Sequence, residues 1–264
     1  MTPDVLASEL LAIVHDAIVG QPRSQQKRIG PSELGNPCDR RIGYRLAEVP
    51  AVNDLGAAWK PYIGTAVHEA IGTVIGRLEH ARMQQPGYRQ RFHVEERLLV
   101  GSVRGQEIHG SCDLFDEEHG AVWDWKFTTR NKIREEYRPH GPGDQYRVQA
   151  HIYARGWQLL GHEVRSVGIV FLTRDGEFTD RHVWHEPYDP TVAEAAFQRA
   201  GSIATALDAL GPDFTLPTLP TAPTYCRFCP WFTPGATHVP RSCPGHPQDE
   251  LEQPSLPQLI GAGR

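Results

Sequence analysis

The stretch GSCDLFDEEHGAVWDWKFTT, Gly110–Thr129, decides the fold that this sequence predicts. Apolar and aromatic residues fill both halves of the stretch, and the polar turn signal DEEHG separates them. This pattern predicts two antiparallel strands joined in a hairpin. The strands also carry Asp113, Asp124 and Lys126, and charged groups are costly to bury unless they have a partner. These charges therefore belong either to a functional site or to a salt bridge on an exposed face of the sheet.

Side chains alternate between the two faces of a strand, so Asp124 and Lys126 share one face. The aromatic residues of VWDWKF occupy the other face, which we expect to be the buried one. Asp113 can approach Asp124 across the hairpin, and two neighbouring carboxylates repel each other unless a cation lies between them. Hard oxygen ligands suit Mg²⁺ or Mn²⁺. The pattern also allows an ordinary salt bridge between Asp113 and Lys126 on an exposed face.

The segments around the hairpin complete an α/β pattern. A helical stripe runs along Gly64–Met83, and the segments HVEERLLVGSV and EIHGSCDLFD predict two strands before AVWDWKFTT. Further elements are a helix over Asp144–Gly161, a strand hairpin about Asp175-Gly176, and a helix over Pro190–Leu210. This order predicts an α/β domain with a mixed central sheet flanked by helices.

The bulk composition is that of a folded protein without a membrane span. The chain has 264 residues, 39% of them hydrophobic, which suffices for one large domain or one domain with a small appendage. No apolar run approaches the roughly 20 residues that cross a bilayer. The N-terminal segment lacks a basic start and contains Asp4, Glu9 and Asp16, so it predicts an amphipathic helix rather than a signal peptide. We therefore expect a cytoplasmic protein without a membrane partner.

The net charge of −5 gives no overall attraction to nucleic acid. Basic residues are nevertheless clustered at four places: Arg23–Arg28, Asp39–Arg45, Tyr88–Arg91 and Arg130–Arg134. Each cluster alone is typical of a solvated surface, whereas the four together permit a positive groove on an acidic protein.

Polar residues outside the hairpin add to the acidic site. His68 lies on the helix upstream of the hairpin, where its imidazole can serve as a metal ligand or simply pack at the surface. Gln149 and Tyr153 are four residues apart and share one face of the following helix. Gln145 adds a third polar position to that face.

Taken in order, the motifs GTAVHEA, GSCDLFD, DWK and QAHIY resemble those of the PD-(D/E)xK nuclease superfamily and its RecB-like exonuclease branch. The resemblance runs from about Ser32 to Cys243 and implies a restriction-endonuclease-like core. It further implies a metal-dependent DNA exonuclease that hydrolyses phosphodiester bonds in recombination, repair, or the processing of phage and other mobile DNA.

The resemblance also implies roles for individual residues. The implied metal ligands are His68, Asp113, Asp124 and the backbone carbonyl of Trp125. The implied catalytic residues are Asp113, Asp124, Lys126, Gln149 and Tyr153. In these roles Lys126 orients the attacking water and stabilises charge on the phosphate, while Gln149 and Tyr153 position the DNA backbone or the catalytic groups. Three further acids are equal candidates for a supporting role: Glu69, Glu95 and Glu96.

Four of the five cysteines form a pattern typical of a metal site: Cys38, Cys226, Cys229 and Cys243. The Cys-x-x-Cys pair can reach one metal from a tight turn, and the other two cysteines complete a set of four ligands. Zinc fits such a set, with His238 or His246 as a substitute ligand. Cys112 is expected to pack as a small apolar residue.

The split of one early and three late cysteines resembles that of AddB-type and CRISPR-associated RecB-like exonucleases. This resemblance implies a [4Fe–4S] cluster that staples the N- and C-terminal segments together. The expected parts of the single domain 1–264 are an N-terminal helical segment with Cys38 (1–60), a nuclease core (61–210), a proline-rich linker with the cysteine segment (211–250) and a loose tail (251–264). The linker GPDFTLPTLPTAPTY has too many prolines for a helix or a central strand.

Two other classes of protein fit parts of the pattern. One is a non-catalytic nucleic-acid-binding module that keeps the nuclease core as a scaffold, and the other is a structural zinc protein that acts through protein partners. The complete set of Asp, Asp and Lys argues against the scaffold, which has no use for a costly charge cluster. The sequence contains no P-loop, so any unwinding of DNA must come from a partner such as a helicase or recombinase.

Overall fold

The computed structural model describes residues 3–20, 28–53, 56 and 59–251 of the chain. The basic cluster Arg23–Arg28, apart from Arg28, and the expected loose tail from residue 252 onward lie outside these residues. The described chain forms two compact units. The sheet unit is made of described residues within Met1–Gln26, Gly30–Gly35 and Gly56–Arg199, and the cysteine unit of those within Lys27–Ile29, Asn36–Leu55 and Ala200–Arg264.

The helices are α1 (Pro3–Val19), α2 (Pro31–Leu34), α3 (Asp39–Leu46), α4 (Trp59–Met83), α5 (Arg130–Lys132), α6 (Arg138–His140), α7 (Gly143–Leu159), α8 (Pro190–Leu210), α9 (Pro212–Thr218) and α10 (Pro247–Leu251). The strands are β1 (Phe92–Val103), β2 (Gln106–Asp116), β3 (Ala121–Thr128), β4 (Ser166–Thr173) and β5 (His182–Pro187). A π-helical turn, Ile133–Tyr137, links α5 to α6.

The strands form one mixed sheet of five strands in the order β1-β2-β3-β4-β5. β3 and β4 are parallel, and the other neighbouring strands are antiparallel. The parallel pair needs a crossover connection, which the segment from α5 to α7 supplies, and α7 packs against β1 and β4. The predicted mixed α/β sheet, its first three strands and the hairpin of β4 and β5 are therefore confirmed.

The face of β3 that is more deeply buried is not the one expected. Asp124 is 2% exposed, whereas Trp123, Trp125 and Phe127 are only half-buried. The expectation that the aromatic face is the buried face is wrong, because α7 packs over the face that carries Asp124. A strand with a parallel neighbour is commonly covered on both faces.

The helices largely follow the predicted segments. α7 and α8 match the prediction, and α4 begins at Trp59 rather than at Gly64. α1 is helical as predicted, and Ile18 near its end is buried, whereas Leu10 and Leu11 are 55% and 69% exposed. None of the helices within residues 3–20, 28–53 and 59–251 has the length and apolar character needed to cross a membrane.

The segment interpreted as a proline-rich linker contains α9, so the prediction of no helix there is wrong. Pro212 is the first residue of α9, where no N–H donor is needed, and Pro217 lies near its last residue. Arg40 binds the carbonyl oxygens at this end, with Nε 3.0 Å from Leu216 O and Nη2 3.1 Å from Leu219 O. The prolines thus sit where a short helix tolerates them, and an arginine from α3 satisfies its free carbonyls.

We predict that Gly168→Ala destabilises the sheet unit. Gly168 pairs with Trp123 in the parallel register, and a Cβ at Gly168 would clash with the indole ring that covers it. We expect the free energy of unfolding, measured with urea, to fall by about 1 to 3 kcal/mol. Gly76→Ala in α4 is the matched control, since nothing lies within 4 Å of its added Cβ, and it should stabilise by about 0.5 to 1 kcal/mol. Equal stability of the two variants would contradict this packing.

Candidate functional site

The hydrogen-bonded register of β2 and β3 covers three residue pairs next to the turn and ends at Leu114 and Trp123. Continuing the register places Asp113 opposite Asp124, as the sequence predicted. Beyond that point Trp125 donates its backbone N–H to Oδ2 of Asp113 at 2.8 Å. The N–H and C=O of one strand residue point toward the same neighbour, so the Trp125 carbonyl is directed to the same side. The side chain of Asp113 therefore accepts the N–H that a backbone carbonyl of β2 would otherwise accept. We call the place where the backbone pairing of β2 and β3 stops the gap in the ladder.

His68 approaches Asp113 from α4, which lies close to β1. Gly72, one turn after His68, is buried, and a Cβ there would lie 3.4 Å from the side chain of Glu95. Nδ1 of His68 is 3.2 Å from Oδ2 of Asp113, and its ring has an edge contact with Phe127 at 5.5 Å. Burial lowers the pKa of His68, but the hydrogen bond to Asp113 and the charges of Asp113 and Asp124 together outweigh this effect and raise the pKa. The imidazole is thus fixed beside the carboxylate.

Glu95 completes a group of three metal-ligating side chains with His68 and Asp113. Their ligand atoms all lie within 4.8 Å of one another. Glu95 stands opposite Asp113 in the register of β1 and β2, and its φ of 52° is uncommon for a non-glycine residue. The sequence gave no basis for choosing among Glu69, Glu95 and Glu96 as a supporting acid of the metal site. The pairing register of β1 and β2 distinguishes Glu95, because it places this residue opposite Asp113.

A chain of polar contacts connects β3 to α7 in buried surroundings. Nζ of Lys126 lies 2.6 Å from Oδ2 of Asp124 and donates to Oε1 of Gln149 at 3.1 Å. Nε2 of Gln149 donates to the hydroxyl of Tyr153 at 3.0 Å. Burial, together with the charges of Asp124 and Asp113, raises the pKa of Tyr153, which therefore keeps its proton. The structure brings together the charged residues and the helix residues that the motifs singled out.

Asp124 is a buried carboxylate whose charge is incompletely compensated. Burial raises its pKa to about 6, the Lys126 ammonium opposes this rise, and the neighbouring Asp113 adds to it. Among the described residues, Asp124 Oδ2 has an ion pair with Lys126 but no donor at a hydrogen-bonding angle. Its oxygens do not belong to the compact group formed by His68, Glu95 and Asp113. A cation close to both aspartates would compensate their repulsion.

α7 also carries Tyr146 at the site, a residue that the sequence did not single out. The centre of its ring lies 4.8 Å from Nζ of Lys126. Tyr146 precedes Gln149 by three residues, and this helical spacing was the available signal. Gln145, which the sequence placed on the same face, instead donates to the carbonyl of Ser32 at 3.0 Å and anchors α2.

The predicted basic clusters are partly used within the fold. Arg91 forms an ion pair with Asp116 at 2.8 Å, and Lys132 forms one with Glu136 at 3.4 Å. These pairs neutralise part of the positive charge, so the two residues add little to a positive groove. The groove itself stays a prediction.

In the cysteine unit, one cavity is lined by the four cysteines predicted to bind metal: Cys38, Cys226, Cys229 and Cys243. All four are buried, and none forms a disulfide. The residue before α3 supplies the first, and a 3₁₀ turn, Cys226–Phe228, followed by Cys229 supplies the next two. Cys112 is fully buried in β2 and does not line the cavity, in agreement with the role expected for it.

The surroundings of this cavity suit sulfur ligands that become anionic. Burial raises the pKa of Cys229 and raises that of Cys226 to about 12, so a cation is needed to stabilise their thiolates. Nη1 of Arg40 lies 3.8 Å from Sγ of Cys243. Arg41 lines the cavity, and its Nε is buried with no hydrogen-bond acceptor in the described part of the chain. Two guanidinium groups thus stand beside the cysteines.

The spacing of the sulfur atoms bears on the kind of metal. Within the described residues, no three ligating groups that include a cysteine have ligand atoms within 4.8 Å of one another. Tetrahedral zinc, with Zn–S bonds of about 2.3 Å, holds its sulfur atoms about 3.8 Å apart. His238 and His246, the predicted substitute ligands, do not line the cavity. In every such trio that includes a cysteine, at least one pair of ligand atoms is thus more than 4.8 Å apart.

Similarity to known proteins is found among solved structures. No family model and no curated protein matches the sequence. The chain is similar to SSO0001 at 16% identity and a TM-score of 0.47, over 86% of this chain and 94% of that one. It is also similar to LHK-Exo, an alkaline exonuclease from Laribacter hongkongensis (10% identity, TM-score 0.40, over 71% and 91% of the two chains), and to a phage-related exonuclease from Haemophilus somnus 129PT (13%, 0.43, over 69% and 94%). Two of the three are exonucleases. Because the TM-scores lie below 0.5, the interpretation of this chain rests on its own residues.

We predict that Glu95→Gln weakens the binding of Mn²⁺ while Glu96→Gln does not. Glu95 belongs to the group with His68 and Asp113, whereas Glu96, the next residue of β1, does not. Loss of one anionic ligand should lower the affinity about tenfold or more, which isothermal titration with Mn²⁺ measures. Any binding by the cysteines is common to both variants. Equal affinities would remove Glu95 from the site.

Proposed function

We propose that this protein is a metal-dependent nuclease that hydrolyses phosphodiester bonds of DNA. The proposal is carried by one observation: Asp113, Asp124 and Lys126 meet Gln149 of α7 in a buried setting at the gap in the ladder of β2 and β3. A structural core gains nothing from two neighbouring buried carboxylates, and such perturbed groups cluster at functional sites.

The metal ligands in this proposal are His68, Glu95, Asp113, Asp124 and the carbonyl of Trp125. Carboxylate oxygens with one imidazole suit Mn²⁺ and Mg²⁺. The incompletely compensated carboxylate of Asp124 supports the fit, because a divalent cation would lower its raised pKa. Mg²⁺ or Mn²⁺ held there supplies Lewis-acid chemistry at the scissile phosphate.

Lys126 is proposed to orient the attacking water and to stabilise the negative charge that develops on the phosphate. The lysine side chain is only 15% exposed, so its charge acts with little screening by water. Gln149 holds the ammonium, and Tyr153 accepts from the amide of Gln149 and so fixes its orientation. Gln149 and Tyr153 thereby act as positioning residues.

The finer parts of the proposal come from the motif resemblance. They are the choice of DNA as substrate, exonuclease rather than endonuclease action, and a setting in recombination, repair or the processing of mobile DNA. A helicase or recombinase partner is proposed on the same resemblance.

We predict that Asp113→Asn and Lys126→Gln abolish metal-dependent cleavage. The assay uses end-labelled single- and double-stranded DNA with Mg²⁺, Mn²⁺ or EDTA. Each variant should lose about 100-fold or more in rate, because it removes a metal ligand or the charge facing the phosphate. Asn can still accept from Trp125, so the fold should persist in the first variant.

Matched controls are Asp144→Asn and Lys60→Gln, since both residues are exposed and lie outside the site. They should cleave as the unmodified chain does. If all five proteins bind DNA equally and none cleaves it with either metal, the nuclease proposal is wrong and a non-catalytic binding module is left. Release of labelled mononucleotides from one end, rather than internal fragments, supports exonuclease action.

We also propose that the cysteine cavity holds a [4Fe–4S] cluster. Four thiolates suit such a cluster, and the split of one early and three late cysteines resembles that of iron–sulfur exonucleases of the RecB-like branch. The neighbouring Arg40 and Arg41 would compensate its negative charge. The cluster would join the segment around Cys38 to the three cysteines of the C-terminal segment, which restrains the unfolded chain over a long loop.

We predict that protein purified without oxygen is brown and contains about four iron and four sulfide per chain. Cys38→Ser and Cys243→Ser should lose the colour and most of the iron. Cys112→Ser is the matched control and should keep both, because Cys112 does not line the cavity. A colourless protein with one zinc per chain would assign the cavity to zinc.

A further inference from the structure

Among the described residues, the ammonium of Lys126 has three close neighbours. Asp124 Oδ2 lies at 2.6 Å, Gln149 Oε1 at 3.1 Å and the centre of the Tyr146 ring at 4.8 Å. A cation over an aromatic face at this distance is attracted by the ring quadrupole. The ring is therefore a third contact of the lysine, in addition to an ion pair and a hydrogen bond.

The ring of Tyr146 is itself held in place by aromatic neighbours. Phe171 of β4 lies 6.4 Å from it, and Tyr137 of the π-helical turn lies 6.2 Å from it. Tyr137 and Phe171 stack on each other at 4.1 Å. Two separate elements thus fix the ring under the lysine, so its position does not depend on Lys126.

We propose that Tyr146 is a positioning residue that keeps the Lys126 ammonium directed at the reacting phosphate, an inference that rests on the proposed nuclease function. In that function Asp124 would also be a ligand of the metal, so less of its charge would be available to Lys126. Gln149 and the Tyr146 ring would be the neutral contacts of the ammonium. A ring face attracts the ammonium without neutralising it, so the full charge stays available to the phosphate.

The cleavage assay tests this role with Tyr146→Phe, Tyr146→Leu and the control Tyr62→Leu. Tyr62 stacks on Trp59 in α4, and the ring that faces Lys126 is that of Tyr146, so replacement of Tyr62 should leave the rate unchanged. Tyr146→Leu should lower kcat about 5- to 30-fold with little change in KM, because the contact acts on the charge in the transition state. Tyr146→Phe keeps the ring and should retain the rate within about twofold.

A spectroscopic readout needs no cleavage. The chain has four lysines, Lys27, Lys60, Lys126 and Lys132, so an NMR spectrum of ¹³C-lysine-labelled protein is simple to assign. Ring current from Tyr146 should shift the Lys126 ε-methylene protons upfield in the unmodified chain and in Tyr146→Phe. The shift should vanish in Tyr146→Leu, while that of Lys132, which lies 5.5 Å from the Tyr137 ring, should remain.

The two readouts separate failure of this inference from failure of the proposed function. An unshifted Lys126 signal in the unmodified chain overturns the inference. This measurement uses the unmodified protein alone, so it does not depend on whether a variant folds. A shifted signal in a protein that never cleaves DNA supports the contact and overturns the nuclease proposal, and with it the positioning role. Full activity of folded Tyr146→Leu, or equal loss in Tyr146→Phe, also overturns that role.

Discussion

The carboxylate of Asp113 accepts the backbone N–H of Trp125, and the rest of the candidate site depends on this contact. A strand ladder normally satisfies such groups with another backbone, and a side chain in that place opens the sheet without leaving an unpaired donor. The opening is where His68 reaches in from α4 and where Glu95 stands across from Asp113. This one hydrogen bond thus gives the Trp125 N–H an acceptor and also holds the Asp113 carboxylate at the edge of the site.

The second carboxylate, that of Asp124, is tolerated in the fold because a nearby positive charge opposes its charge, and not because it is exposed to water. Asp124 is buried under α7, and Lys126 supplies the opposing charge at 2.6 Å. The ammonium is in turn held by Gln149 and by the ring of Tyr146. Buried polar groups of this kind are costly unless all partners are present. In the proposed nuclease, a divalent cation is the partner that Asp124 still requires.

The cysteine unit also gathers groups that a metal would compensate, here with sulfur ligands. Four thiols line its cavity, burial raises the pKa of two of them, Cys226 and Cys229, and arginines of α3 stand beside the cavity. Arg40 links this cavity to α9 because one guanidinium contacts both Cys243 and the carbonyl oxygens at the helix end. The segment that its prolines marked as a linker is therefore an ordered support for the proposed cluster.

The sequence by itself determined the strand hairpin, the mixed α/β order and most of the residues at the site, because alternation and helical spacing are local properties. It also indicated the four cysteines, although they are far apart along the chain. Only the tertiary structure decided that Glu95 rather than Glu69 or Glu96 joins the metal group, since that depends on the register of β1 against β2. The burial of Asp124 and the placing of Tyr146 under Lys126 were likewise set by the packing of α7 on the sheet, a long-range contact that no local pattern encodes.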